Sequence, residues 1–197
     1  MDLVFEEEIR QLKQDVTICK KCELGKTRKN PVIGSGSIRA QVMFIGEAPG
    51  YNEDLQGRPF VGKAGNILSE LLESIGLRRE EIYIANILKC RPPDNRNPLD
   101  LEIKACTPYL DRQITAIKPK VICTLGNFAT SYILQKFGLQ AEKIGKIHGK
   151  TFHIRNSLFE SRIIPLYHPA AATYNPNMKS ILLDDFKNIN LHLSEKI

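Results

Sequence analysis

Short, continuously apolar runs alternate along this chain with stretches of helical periodicity, and that alternation constrains the fold more than any other feature. The runs are QVMFIG (41–46), EIYIANIL (81–88), VICTLG (121–126) and RIIPLY (162–167). Runs of this length without polar alternation read as strands buried on both faces. Residues 3–16 place Leu3, Phe5, Ile9, Leu12 and Val16 at roughly helical spacing. Residues 66–76 put Ile67, Leu68, Leu71, Leu72 and Ile75 on one face and close at Gly76. A further helical stretch, 99–118, opens at Pro98 and is interrupted at Pro108; others are predicted at 127–138 and 178–193. Residues 31–40 read as a Gly/Ser loop, and 144–155 alternate like a β-ribbon. Strands alternating with helices build a parallel or mostly parallel sheet covered on both faces. Ligands of such sheets bind beyond the carboxyl ends of the strands, which here lead into Glu47, Asn86 and His168.

At 197 residues the expectation is a single domain spanning 1–197. A composition of 42% hydrophobic and 25% charged residues excludes wholesale disorder. No stretch approaches the roughly 18 apolar residues of a spanning helix, so no membrane role is expected. The first eight residues carry four acids, the opposite of a signal-peptide start, so the expected location is cytoplasmic. The formal charge of +6 fits an anionic partner. Part of the excess is local, because residues 10–30 hold seven Lys/Arg against two acids. That segment is either a solvated face or a surface turned to phosphates.

Five cysteines divide into one and four. Cys123 sits inside VICTLG and reads as a small core residue. Cys19 and Cys22 form a C-x-x-C outside any regular pattern, Cys90 lies in the proline-held loop LKCRPPDNRNP, and Cys106 follows sixteen residues later. C-x-x-C lets two thiolates grip one metal or two corners of a cluster. Four sulfurs with no obvious histidine ligand leave zinc or an iron–sulfur cluster, and spacing does not separate the two. Either would staple the N-terminal segment to the middle of the chain.

The loop after the first strand, GEAPGYNEDLQGRPFVGKAG (46–65), holds five of the thirteen glycines. Such density suits a backbone that approaches a ligand closely. Gly57 to Lys63 imitates a phosphate-binding loop, but Ala64 offers no hydroxyl for magnesium and Pro59 removes an amide, so nucleotide hydrolysis is set aside. Phe60 lies outside any periodic pattern, as a stacking platform for a planar ring would. Asn86 closes a strand with a carboxamide, donor and acceptor together, which suits the edge of a nucleobase. His168, in YHPAA, stands alone among the four histidines at a predicted strand terminus; His148, His153 and His192 read as surface residues.

Three blocks together, GEAPGYNEDLQGRPFVGKAG, NILKCRPPDNRNP and HPAA, resemble the uracil-DNA glycosylase superfamily, and within it family four, the iron–sulfur type. The resemblance runs from the C-x-x-C at Cys19 to the HPAA block and covers most of the chain. It implies an α/β three-layer sandwich with a central four-stranded parallel sheet between helices. It also implies a [4Fe–4S] cluster on Cys19, Cys22, Cys90 and Cys106, with Cys123 left over. The implied activity is hydrolysis of the N-glycosidic bond of deoxyuridine in single- and double-stranded DNA, which releases uracil from a nucleotide flipped into the pocket. A monomer is expected.

By the same resemblance, Phe60 stacks on uracil and Asn86 pairs with its N3–H and O4. Backbone amides around Ala48 and Pro49 line the pocket, and Glu53 stands near C5, where it would crowd out the methyl group of thymine. His168 donates a hydrogen bond to the charge developing on O2. The sequence departs from better-known relatives at Ala48, where their first motif carries an aspartate. Glu47, the nearest carboxylate, is assigned water positioning or a local structural role. Tyr174 is the candidate to fill the duplex gap. The competing reading is a non-catalytic iron–sulfur or zinc protein that binds nucleic acid.

Overall fold

The structure, a computed structural model, describes residues 2–155 and 159–194, with backbone alone for residues 2–5, 176 and 194. The side chains expected at Leu3 and Phe5 therefore lie outside the described residues. The first half contains α1 (Asp2–Thr17), α2 (Leu24–Thr27), β1 (Ser35–Gly36), β2 (Val42–Gly46), α3 (Tyr51–Gln56), α4 (Lys63–Ser74) and β3 (Tyr83–Asn86). The second contains α5 (Asp100–Ile117), β4 (Val121–Leu125), α6 (Asn127–Lys136), α7 (Ile144–Ile147), β5 (Phe152–Arg155), β6 (Glu160–Leu166), α8 (Ala171–Tyr174) and α9 (Pro176–Ser194).

The strands form one six-stranded sheet in the order β1-β3-β2-β4-β6-β5. Contacts among β3, β2, β4 and β6 are parallel, and the two edge strands are antiparallel. The sheet is thus mixed and six-stranded, where a four-stranded parallel sheet was expected. The additions are edges: β1 is two residues long inside the expected Gly/Ser loop, and β5 pairs back on β6. Short edge strands carry little hydrophobic signal, because one face and one side meet solvent.

Period-two alternation on fully buried strands sorts the core into two layers. Met43 and Ile45 of β2 face a cluster with Leu12 and Val16 of α1, Leu110 and Ile114 of α5 and Ile133 of α6. Val42 and Phe44 face Leu68, Leu71 and Leu72 of α4 and Leu182 and Phe186 of α9. Helices therefore cover both faces, which gives three layers. Arg112 of α5 grips Glu8 and Asp15 of α1 at 2.6 Å each, and so fastens the N-terminal helix to the stack.

Two further expectations are corrected. Pro108 does not interrupt α5, which runs unbroken from Asp100 to Ile117. The missing amide costs one backbone hydrogen bond, but Cys106, Tyr109, Leu110 and Ile114 bury the helix face around it. The span 144–155 is not one ribbon: Ile144–Ile147 is a helical turn with both isoleucines buried, and only Phe152–Arg155 is strand. Apolar residues three apart fit a helical turn as well as an irregular alternation, which is why the period misleads there. No helix among the described residues is long and apolar enough to cross a membrane.

Candidate active site

The chain reverses its direction of travel across the sheet at β2, which has β3 on one side and β4 on the other. That switch point opens a crevice at the carboxyl ends of the strands. A cavity of about 380 Å³ lies there, bounded by Glu47, Glu53, Phe60, Asn86, Asn95 and His168, with Ala48, Gly50, Ala64 and Ala170 between them. Three separated sequence blocks thus meet in one hollow.

Asn86 ends β3, is 2% exposed, and keeps its Oδ1 buried without a hydrogen-bond partner. An orphaned buried acceptor is costly, about 1–3 kcal/mol, unless something that enters the cavity supplies the donor. Gly46 makes room for it. A Cβ there would stand 2.4 Å from Asn86 Oδ1 and 2.9 Å from the Phe60 ring. The close approach that the glycine-rich loop signalled is therefore between protein groups, carboxamide and ring on one glycine.

Phe60 holds a left-handed backbone, φ +53°, unusual for a side chain of its size. Its surroundings impose that conformation. Half-buried Arg79 donates to the carbonyls of Phe60 at 3.0 Å and Pro59 at 3.1 Å, and to Ser69 Oγ at 3.2 Å. Gly65 permits the turn, since a Cβ there would sit 1.9 Å from the Phe60 carbonyl oxygen. From the other side Glu53 Oε1 accepts the amides of Val61 at 3.2 Å and Gly62 at 3.4 Å. Glu53 does line the cavity, but one of its oxygens is committed to holding this loop. Its neighbour Asp54 is buried and takes the Lys29 amide at 3.0 Å, so α3 ties the basic segment to the pocket loop.

His168 follows β6, and Gly126 (φ +88°) lets it pass close, 3.4 Å from where a Cβ would be. Its Nδ1 accepts the Ala170 amide at 3.2 Å. Burial pulls its pKa down to about 4, so the ring is neutral near pH 7. A neutral imidazole whose Nδ1 accepts carries its proton on Nε2. The Phe60 and His168 rings are near-parallel, with centroids 5.5 Å apart. Glu47 is half-buried on the wall, and burial raises its pKa above the usual carboxylate range. Ala48 lines the cavity; Pro49 is buried behind it, is not on the wall, and has no N–H to give.

Cys19, Cys22, Cys90 and Cys106 line one small void, which Val16, Arg28, Lys89 and Tyr109 help to enclose. The expected foursome therefore converges, while Cys123 is buried in β4 on the opposite face of the sheet. Two sulfurs already take N–H donors at 3.1 Å: Arg28 reaches Cys90, and the Lys89 amide reaches Cys106. Burial pushes the Cys106 thiol up to about 12 and Cys90 upward as well, so both hold their protons unless a metal replaces them. Among the described residues no group of three or more His, Cys, Asp or Glu side chains is arranged to hold a single metal ion. Arg28, counted above with the basic segment, turns inward to the carbonyls of Thr17 and Cys19.

Several working residues carried no motif signal. Lys89 is fully buried, and its Nζ donates to the Asn86 carbonyl at 2.8 Å and to Gln113 Oε1 at 2.7 Å. Its place in the apolar stretch NILKC was the available hint. Arg79 and Asp54 act on backbone carbonyls and amides, which leave no mark in the sequence. His148 is not a free surface residue: its Nδ1 meets Asp185 at 2.8 Å, and its ring packs on Tyr167.

The model of the uracil DNA glycosylase superfamily matches residues 33–193 of the chain. A type-4 uracil-DNA glycosylase of Sulfurisphaera tokodaii is 50% identical over 92% of this chain and 83% of its own length. The type-4 enzyme of Saccharolobus solfataricus is 49% identical over 92% and 85%, and that of Archaeoglobus fulgidus 45% over 93% and 92%.

Proposed function

This chain belongs to the uracil-DNA glycosylase superfamily, and we propose that it excises uracil from DNA by hydrolysing the N-glycosidic bond of deoxyuridine. The observation that carries the reading is the orphaned Asn86 Oδ1, buried on a cavity shared with an aromatic ring and a neutral histidine. Uracil brings the missing donor, its N3–H, and offers O4 to the Asn86 amide. The nucleotide must leave the stack to reach this depth. With their centroids 5.5 Å apart, Phe60 and His168 leave less than the about 7 Å that two van der Waals gaps require. The base therefore lies on Phe60 alone, with the imidazole at its edge. Glu53, on the cavity wall, is the proposed group that a 5-methyl would meet, which would disfavour thymine.

Bond cleavage leaves positive charge on the sugar and negative charge on the base. The Nε2–H of His168 donates to O2 as that charge builds, and because the ring is already neutral no proton need be gained first. One such donor is worth about 3–4 kcal/mol in the transition state. Ala48 supplies no carboxylate, so Glu47 positions the water that adds to C1′, and the leaving base takes up the balancing proton. Tyr174, 88% exposed on α8, is the proposed residue to fill the duplex gap. The DNA substrate puts the protein in the cytoplasm with the chromosome.

The four cysteines fit an iron–sulfur cluster by donor chemistry. They present four thiols on one void with no carboxylate or imidazole among the described lining residues, and two sulfurs are already solvated by N–H groups. A [4Fe–4S] cluster held there would cross-link the connection between α1 and α2, the loop around Cys90 and α5; hydrolysis moves no electrons and would ask nothing more of it.

The test is uracil release from a deoxyuridine oligonucleotide by the purified brown protein, with alkali-labile strands as second readout. Binding without release would instead favour a non-catalytic nucleic-acid protein, the outcome that Ala48 makes worth checking.

A further inference from the structure

Tyr51 is 53% exposed and belongs to neither core layer. It is the first residue of α3, next to Gly50 on the cavity wall. Two cations stand over its ring: Arg91 with Cζ 5.3 Å from the centroid and Lys29 with Nζ 5.8 Å away. Each is steadied from behind. Arg91 Nε donates to Asn95 Oδ1 at 2.7 Å, and Asn95 is itself a wall residue of the cavity. Lys29 is pinned through its backbone amide to buried Asp54. The α3 carboxylates Glu53 and Asp54 accept backbone amides, of Val61 and of Lys29 respectively. A solvent-facing aromatic with cations on it, set at the rim of a base-sized hollow, has the chemistry of a single-strand platform: a π-face for a base and positive groups for phosphates.

We propose that Tyr51 stacks on the base adjacent to the flipped deoxyuridine, with Lys29 and Arg91 on the flanking phosphates. This deepens the glycosylase reading and rests on it. Arg91 is suited to both parts, because its planar guanidinium extends the aromatic surface while carrying charge. The platform acts on the strand and not on the excised base, so it contributes to substrate affinity and leaves the pocket untouched.

The experiment uses the full-length, cluster-containing protein and three single-stranded oligonucleotides: one with deoxyuridine between normal nucleotides, and two with an abasic spacer on its 5′ or 3′ side. For Tyr51→Ala the expected result is a KM raised about tenfold on the normal strand, with kcat and inhibition by free uracil unchanged. Tyr51→Phe and Tyr51→Trp should match the parent protein. On the spacer strand that lacks the stacking partner, parent and Tyr51→Ala should have equal KM, which also identifies the side. An unchanged KM, or a rise of equal size on both spacer strands, overturns the proposal. Binding to a uracil-free strand, read by fluorescence anisotropy, separates the two readings. If no variant or parent released uracil, the glycosylase reading would fall. Loss of binding in Tyr51→Ala but not in Tyr51→Phe would still uphold the platform, and equal binding would sink it.

Discussion

Substituting His168 by glutamine should remove a measurable part of the protein's acid sensitivity. The imidazole has its ordinary value of 6.5 in the unfolded chain and about 4 in the folded one, because burial penalises the charged ring. The depressed value fixes the sign. Between pH 6.5 and 4 the unfolded chain binds a proton that the folded chain refuses, so stability is full above 6.5 and falls with pH until the folded group titrates. The difference amounts to about 3 kcal/mol in full, of which roughly 2 kcal/mol is lost between pH 7 and pH 5. Glutamine does not titrate, and its carbonyl oxygen can still accept the Ala170 amide that Nδ1 now accepts. Urea unfolding of both proteins at the two pH values isolates the effect, since all other titrations cancel in the comparison. The parent should lose roughly 2 kcal/mol more than His168→Gln on acidification. Equal losses, or a His168 NMR resonance that titrates near 6.5, would show that the ring is not held neutral and would remove the ready donor from the mechanism.

Asn86→Ala should cut kcat/KM at least about a hundredfold, the worth of two hydrogen bonds to the base, without lowering Tm, because Oδ1 has no protein partner to lose; a lowered Tm would mean that the carboxamide is structural. Gly65→Ala should destabilise the protein by about 2 kcal/mol or more and weaken inhibition by free uracil, since its Cβ would collide with the Phe60 carbonyl at 1.9 Å; full uracil affinity would deny Phe60 its stacking role. Cys106→Ala should abolish the brown colour and lower the thermal midpoint, while Cys123→Ala should keep the colour; iron content measured on both decides the ligand set.

Much of the site was legible because its chemistry lies in side chains that have no other reason to be where they are. A phenylalanine outside any period, a carboxamide closing a buried strand and a histidine at another strand end all pointed to the one edge of the sheet that ligands use. The four cysteines could be grouped for a similar reason, since the fifth was accounted for by its strand. Glu53 was seen only in part: its position on the wall was foreseen, its grip on the Val61 and Gly62 amides was not. The edge strand β1 and the turn at Ile144–Ile147 were lost, and β5 was seen only as the end of a longer ribbon, because short, half-solvated elements carry too few buried residues to set a period.

By itself the order of residues determined the layering: continuous apolar runs must be buried on both faces, and the helices between them must supply the cover. It also determined which chemical groups arrive at the strand ends. Only the tertiary structure decided how those groups are poised. The left-handed turn at Phe60 exists because Arg79 and Gly65 hold it, the proton sits on Nε2 of His168 because the Ala170 amide occupies Nδ1, and buried Lys89 spans from Asn86 to the sulfur void. Each depends on a backbone carbonyl or amide brought close by folding, and every residue carries those groups alike, so composition and spacing cannot distinguish them.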